Sequence, residues 1–225
     1  MKSKRWTALR NEFLVYAGLL FVPAGTLAWP AAWAFLVLFF GARLLITRAL
    51  ARDDPDLFEE RKKPIIQKGQ PLWDKIILVT IVVLLGGGLI LMGLDAGRFH
   101  WSAVPAELQW LGAGGVLTST WIAAQVFRAN PFLATVVRVQ TERSHAVVTS
   151  GPYGVVRHPL YAANLLLFPS AALMLGSRLG LVPMILLAGV YILRTALEDR
   201  ELHGKLDGYA DYARRVRYRL IPLVW

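Results

Sequence analysis

The sequence predicts an all-α, polytopic integral membrane protein of about six membrane segments, the last two forming a helical hairpin, with cytoplasmic loops and a C-terminal helix beside them. Three observations predict it. Of 225 residues, 56% are hydrophobic and 18% charged, a balance shifted away from that of soluble domains. The apolar residues gather in blocks close to the ~20 residues that a helix needs to cross ~30 Å of hydrocarbon. The basic residues are segregated between those blocks, as expected where short cytoplasmic loops retain positive charge.

Residues 12–29 and 31–49 flank Pro30 as a tight pair. The basic start MKSKR resembles a signal peptide, but its apolar run is too long for a signal core and continues into a second span, so it reads as a retained segment. A charged connection follows, ARDDPDLFEERKKPIIQKGQP, amphipathic and cytoplasmic. Residues 73–94 form the cleanest span, with IILVTIVVLLGGGLILMGL free of charge; residues 106–127 form a weaker one. Residues 159–176 and 179–197 make a second close pair about Gly176 to Gly180. With the N-terminus inside, 23 of the 25 Lys and Arg fall in cytoplasmic segments, leaving only Arg98 and Arg178 outside. Both termini and the polar C-terminal part are then cytoplasmic.

The net charge of +10 fits anionic lipid headgroups better than nucleic acid, and no aromatic and basic pattern of an RNA-binding module occurs. The absence of cysteine removes disulfides, Cys-based zinc sites and a thiolate nucleophile, and no metal site is expected. There is no internal repeat or low-complexity linker. Residues 1–127 are mostly spans, whereas residues 128–225 interleave short apolar segments with dense polar ones, so chemistry is expected in the second part.

Two stretches carry it. In RVQTERSHAVVTSGPYGVVRHPLY, Gln140, His145, Tyr153, Arg157, His158 and Tyr161 arrive within 22 positions. Gly151 and Gly154 permit unusual backbone and close approach of a ligand, Pro152 and Pro159 fix φ, and His158 is biased toward extended geometry by the proline after it. Pro159 suits the first turn of a helix, which puts His158 at an N-terminal end fit for an anion. A plain turn, with Arg157 at phosphate headgroups and His158 as a cap, is the alternative. In YILRTALEDRELHGKLDGYADYARRVRYRLIP, Arg194 and Glu198 share one helical face while Asp199 points elsewhere. A charge at mid-membrane costs roughly 2.5–3.5 kcal/mol on insertion scales, which makes Arg194 a site candidate; a self-satisfying Arg194–Glu198 pair is the alternative. Tyr209, Tyr212 and the arginines at 214, 215, 217 and 219 read as an interfacial belt contacting headgroups.

These stretches resemble the isoprenylcysteine carboxyl methyltransferase family over residues 128–222. The marks are VQTERSHAVVTSGPYGVVRHPLY, a helical hairpin, RTALEDREL and LDGYADYARRVRYRLIP, in that order and spacing. The resemblance implies an integral-membrane enzyme using S-adenosyl-L-methionine on a lipophilic or lipidated substrate. It implies cofactor contacts from Gln140, His145, Ala146, Val147, Val148, Tyr153, His158, Pro159, Leu160, Tyr161 and Glu198. Arg194 matches the arginine at the substrate carboxylate and, with Glu198, is the catalytic pair; Asp199 stands where a second Glu is usual. Residues 128–225 are then the catalytic region, with cytoplasmic cofactor-binding loops.

Three other readings stay open: an NADPH-dependent sterol-reductase-like membrane enzyme, whose RHP segment and ending are related; a phospholipid N-methyltransferase, in which no carboxylate needs Arg194; and a non-enzymatic membrane subunit.

Overall fold

The computed structural model describes residues 2–138 and 140–225. Its long helices are α1 (Lys2–Ala24), α2 (Pro30–Asp53), α4 (Leu72–Met92), α5 (Ala106–Ala129), α6 (Pro159–Met174) and α7 (Leu181–Lys205), with short helices α3 (Pro55–Glu60) and α8 (Tyr209–Arg215). No strand occurs among the described residues. All six expected segments are helical. Three helices are long and apolar enough to cross a membrane, namely α2, α4 with its π-helical extension Gly93–Phe99, and α7; α6 is a shorter apolar helix. At ~1.5 Å per residue, the 16 residues of α6 reach about 24 Å, short of a full hydrocarbon core. Arg10, Asn11 and Glu12 in α1, and Gln109, Thr118, Ser119 and Thr120 in α5, dilute the apolar character of those two helices.

Elements start where proline is harmless and stop where the chain must turn. Proline opens α2, α3 and α6 at the first position, where the missing N–H costs nothing. Asp54 caps α3 by accepting from Leu57 N at 2.9 Å. Gly25 and Gly176, both at positive φ, end α1 and follow α6 where other residues would be strained.

Packing relies on aromatics at one side and small residues at the other. Phe13, Tyr16, Phe39 and Phe40 join α1 to α2 through edge-on and stacked rings 5.3–5.7 Å apart. Between α5 and α6 the backbones nearly touch. A methyl at Gly112 would lie 2.5 Å from Met174 N and 2.6 Å from Ser170 O, and one at Gly115 would collide with Ser170. Ser119 donates to Ala163 O at 2.8 Å one turn further along, so small-residue contact and a buried hydrogen bond fix this pair. The π-helical turn approaches α1 similarly, with Gly93 against Leu20 O.

The two ends of the bundle are tied by buried acids. At one end Asp95, with no exposed surface, accepts from Ser102 N and Oγ at 2.8 and 2.6 Å and from Ser177 Oγ at 2.5 Å, joining the π-helix to the α6–α7 turn. The other end carries loop 130–158, the C-terminal tail and the polar site.

Candidate active site

The turn GPYG is a 3-10 helix, Gly151–Gly154, entered through Gly151 at φ +57°, a conformation that glycine adopts without strain. It carries Tyr153 inward: its hydroxyl accepts from Asn130 Nδ2 at 2.7 Å, and its carbonyl accepts from Tyr212 OH at 2.8 Å. Burial pushes the Tyr153 hydroxyl above its ordinary range and the Tyr212 hydroxyl up to about 12. Both stay protonated donors near neutral pH.

His158 occupies the N-cap of α6 at φ −124°, ψ 62°, yet its side chain makes no capping bond. Its ring turns instead to Asp199 Oδ1, 3.3 Å from Nε2, and stacks on Tyr161 with centroids 5.8 Å apart. Ahead of it the chain runs alongside the tail, since Arg157 N and His158 N donate to Tyr218 O and Arg219 O at 2.9 Å each.

Asp199 is the hub of this end. Only 2% exposed, it accepts from Arg157 Nε and a terminal nitrogen (2.8 and 3.0 Å), from Tyr209 OH (2.8 Å) and from Arg219 Nε (2.9 Å). Tyr209, Tyr212 and Arg219 therefore belong to the core rather than to an interfacial belt, whereas Arg214, Arg215 and Arg217 stay exposed. Tyr209 and Tyr212 are buried around Leu206, Arg157 bonds the Val216 and Arg217 carbonyls, and Arg219 stacks over Trp225. Composition reads aromatic and basic residues as a headgroup belt, but these have an acid inside the fold to reach for.

Another face of α7 presents Arg194 and Glu198, five and one residues before Asp199. They do not satisfy each other. Arg194 is paired with Asp74 of α4, its Nε at 3.0 Å and a terminal nitrogen at 2.9 Å, and that nitrogen also donates to Thr135 O. Asp74 is fully buried and accepts from Gln70 Nε2 (2.7 Å) and Val137 N (3.0 Å) as well. Glu198 instead accepts from Tyr161 OH at 2.5 Å, and the Tyr161 ring lies under the Arg194 guanidinium at 5.4 Å. Among the described residues no cation comes within ion-pair distance of Glu198.

These groups wall one cavity of about 850 Å3, large enough for a cofactor and part of a second molecule. His145, Ala146, Val147, Val148, Tyr153, His158, Leu160 and Tyr161 line it from the loop and the start of α6, and Arg194 and Glu198 line it from α7. Gln140 and Pro159 do not. Gln140 is wholly buried, donating to Phe132 O at 2.6 Å and accepting from Arg143 at 2.9 Å, so its amide shapes the loop. The opposite wall comes from the first part of the chain: Glu12 and Tyr16 of α1, Arg43 of α2, Arg61 after α3 and an apolar face of α4.

Residues 108–204 match the phospholipid methyltransferase family model. The matched segment contains every candidate residue from Gln140 to Glu198. Similarity also extends to the cobalt-zinc-cadmium resistance protein CzcN of Cupriavidus metallidurans, 38% identical over 109 residues, covering 43% of this chain and 49% of that protein. The chain thus spans about half the length of the curated relative it matches.

Asp74, Arg43 and Arg61 lie outside the matched segment, and sequence reasoning passed over all three. Asp74 had one usable signal: it is the single acid in the first turn of the most apolar helix, LWDKIILV, a position that is costly without a partner. Nothing in the sequence names that partner, which is 120 positions away.

The strip around His145 gives a pH-dependent consequence. Its ring stacks on Phe132 at 4.6 Å, and Nδ1 accepts from Gln140 N at 3.3 Å, which requires that nitrogen to be unprotonated. Burial, then the charges of Arg143 and Arg138, lower its pKa below 6.5. The unfolded chain therefore binds the proton more tightly, and this contribution to stability is intact above pH 6.5 and lost as pH falls through the lowered folded value. Thermal unfolding in detergent should show the midpoint falling as pH drops below 6.5, with the slope reduced in His145→Gln; an equal slope in both proteins would assign the acid sensitivity elsewhere.

Proposed function

We propose that the protein is an S-adenosyl-L-methionine-dependent methyltransferase acting on a lipophilic acceptor at the membrane surface that bears the polar site. The observation that carries this reading is the pairing of Glu198 with Tyr161 on the cavity wall: a carboxylate fixed by a 2.5 Å hydrogen bond and left without a cation of its own among the described residues. A buried or half-buried carboxylate is costly without a positive partner, and the cofactor's ammonium is such a partner. The fit extends along the same wall, where the His145–Val148 strip, His158 and Leu160 offer backbone and ring surfaces for the cofactor's other parts.

When bound, S-adenosyl-L-methionine supplies an electrophilic methyl group on a sulfonium. The protein's residues then position and desolvate. Tyr161 holds Glu198 by its hydroxyl and supports Arg194 by its ring. Asp74 and Thr135 fix the plane of the Arg194 guanidinium, which faces the acceptor. A carboxylate acceptor needs no general base because it is already ionised near neutral pH, and effective molarity from alignment supplies most of the acceleration. On this reading the reaction is carboxyl O-methylation of the isoprenylcysteine type, with N-methylation of a phospholipid amine as the alternative that the matched family's description favours. The site draws on both parts of the chain, residues 128–225 giving the cofactor wall and, through Arg194, part of the acceptor side that residues 1–127 complete, and both termini are proposed to be cytoplasmic.

Calorimetry tests it. Purified protein should give binding heat with S-adenosyl-L-methionine and none with NADPH, and Glu198→Gln should weaken the former by at least about tenfold, the worth of one charge-assisted contact. Heat from NADPH alone would assign a reductase, and heat from neither in a folded sample would assign a non-enzymatic subunit.

A further inference from the structure

The cavity's charges leave one cation over. Arg43, Lys62, Lys63, Arg138, Arg157 and Arg194 all line it, and each has a carboxylate within 4 Å. Arg61 lines it as well but has no such partner among the described residues. It is held in place without being neutralised: it donates to Leu133 O at 3.0 Å and lies over the Phe127 ring at 4.7 Å. A second, independent sign lies on the same cavity. The buried side-chain donors that lack any hydrogen-bond partner among the described residues are Arg43 Nε and Arg138 Nε, and both belong to arginines on this cavity. Buried donors are normally satisfied, and guanidinium groups match phosphate and carboxylate through paired N–H donors. Arg43 and Glu12 of the opposite wall lie within electrostatic reach of Arg61, as do Tyr161 and Tyr191 beside the α7 site.

From this polar level an apolar lining runs into the bundle. On α4 the cavity takes Leu78, Ile81, Val82, Leu85, Leu89 and Met92, one stripe at helical spacing that spans about 21 Å at ~1.5 Å per residue. That is the dimension of an extended alkyl chain, and Phe35 and Phe39 of α2 face the same space.

We infer that Arg61, with Arg43 beside it, binds the anionic headgroup of a chain-bearing lipid, a phosphate or a carboxylate, whose tail lies along the α4 stripe. The cavity then holds opposite charges at opposite walls: an unpaired carboxylate, Glu198, for the cationic cofactor and an unpaired guanidinium, Arg61, for an anionic acceptor. The headgroup site rests on the methyltransferase reading for its role as an acceptor site, but its ligand chemistry stands on Arg61, Arg43 and the stripe alone. Burial, and next the Arg43 charge, bring the Arg61 guanidinium down to about 10, which an incoming anion would reverse.

Full-length protein in a neutral maltoside detergent, titrated with dodecyl phosphate, dodecanoate or dodecanol and read by native mass spectrometry, tests the site. Arg61→Gln should weaken binding of an anionic probe by at least about tenfold, Arg61→Lys should restore part of it, and dodecanol should be insensitive to both. Loss confined to dodecyl phosphate assigns a phosphate headgroup, and loss confined to dodecanoate assigns a carboxylate. Unchanged binding of both anions to Arg61→Gln overturns the inference. A second variant, Leu85→Trp, should exclude dodecyl phosphate while admitting butyl phosphate; equal binding of the two would overturn the tail path. Calorimetry with S-adenosyl-L-methionine on the same samples separates the two proposals. Retained cofactor heat in Arg61→Gln shows that the variant is folded, whereas cofactor heat missing from the parent protein removes the methyltransferase reading and leaves the anion site standing.

Discussion

Asp199→Ala should be the most destabilising single substitution at the polar end of the molecule, lowering stability by about 3–5 kcal/mol, the range found when one partner of a buried ion pair is removed. The carboxylate is 2% exposed and is the shared acceptor for Arg157, Arg219 and Tyr209. Its loss leaves one fully buried and one half-buried guanidinium without an anion. Arg157 cannot reach water without dismantling the run in which residues 157 and 158 bond to the carbonyls of residues 218 and 219, whereas Arg219 is already partly exposed. Asp199→Asn keeps the volume and part of the hydrogen bonding but not the charge, and is expected between the parent and Asp199→Ala. The neighbouring acid supplies the control: Glu198 bonds only Tyr161 among these groups and faces the cavity, so Glu198→Gln should melt within about 1 kcal/mol of the parent while losing cofactor affinity. Thermal unfolding followed by tryptophan emission measures both. Asp199→Ala melting alongside the parent would mean that the tail is held by its backbone contacts and not by this hub.

That two adjacent acids divide their work in this way shows how far a sequence can be read. The division itself was legible: helical geometry puts Arg194 and Glu198 on one face and Asp199 on another, and the structure keeps them so. The helices were legible too, because blocks of apolar residues separated by proline, glycine and charge leave few alternatives to a helical bundle. The destinations of the charges were not. Arg194 faces Glu198 on its own helix, yet pairs with Asp74 from a helix 120 positions earlier; that choice is made by tertiary packing of α4 against α7. Tyr209, Tyr212 and Arg219 have the composition of a membrane-interface belt, and the same composition serves a buried network when an acid, Asp199, and the Tyr153 carbonyl lie across from it. Gln140 resembled a ligand contact because it sits in the right string of residues, whereas its amide is committed to Phe132 and Arg143. Pattern supplies which residues are expensive to bury; only the fold supplies which neighbour compensates each one.

On the proposed methyltransferase reading, Arg194→Lys should lower turnover by about 100-fold while changing the affinity for S-adenosyl-L-methionine by less than about threefold. The guanidinium spans Asp74 and Thr135 O at once, through Nε at 3.0 Å and a terminal nitrogen at 2.9 Å to both, and its plane lies over Tyr161. A lysine ammonium is a single point on a flexible stem and cannot span that fork, so an acceptor group aligned by Arg194 loses its orientation. Misplacement by about 1 Å is enough for a 100-fold loss. Asp74→Asn should reproduce most of this effect without touching the cavity-facing arginine, because Asp74 does not line the cavity and acts by holding Arg194 through a fully buried carboxylate. If the two residues act as one unit, the double variant is no worse in kcat than Arg194→Lys alone, a non-additivity that independent contributions would not produce. A merely structural role for the pair would instead lower kcat and cofactor affinity together, in proportion to the fraction of protein folded. Arg194→Lys turning over within threefold of the parent would remove Arg194 from the acceptor side and leave Arg61 as the cation that orients the lipid.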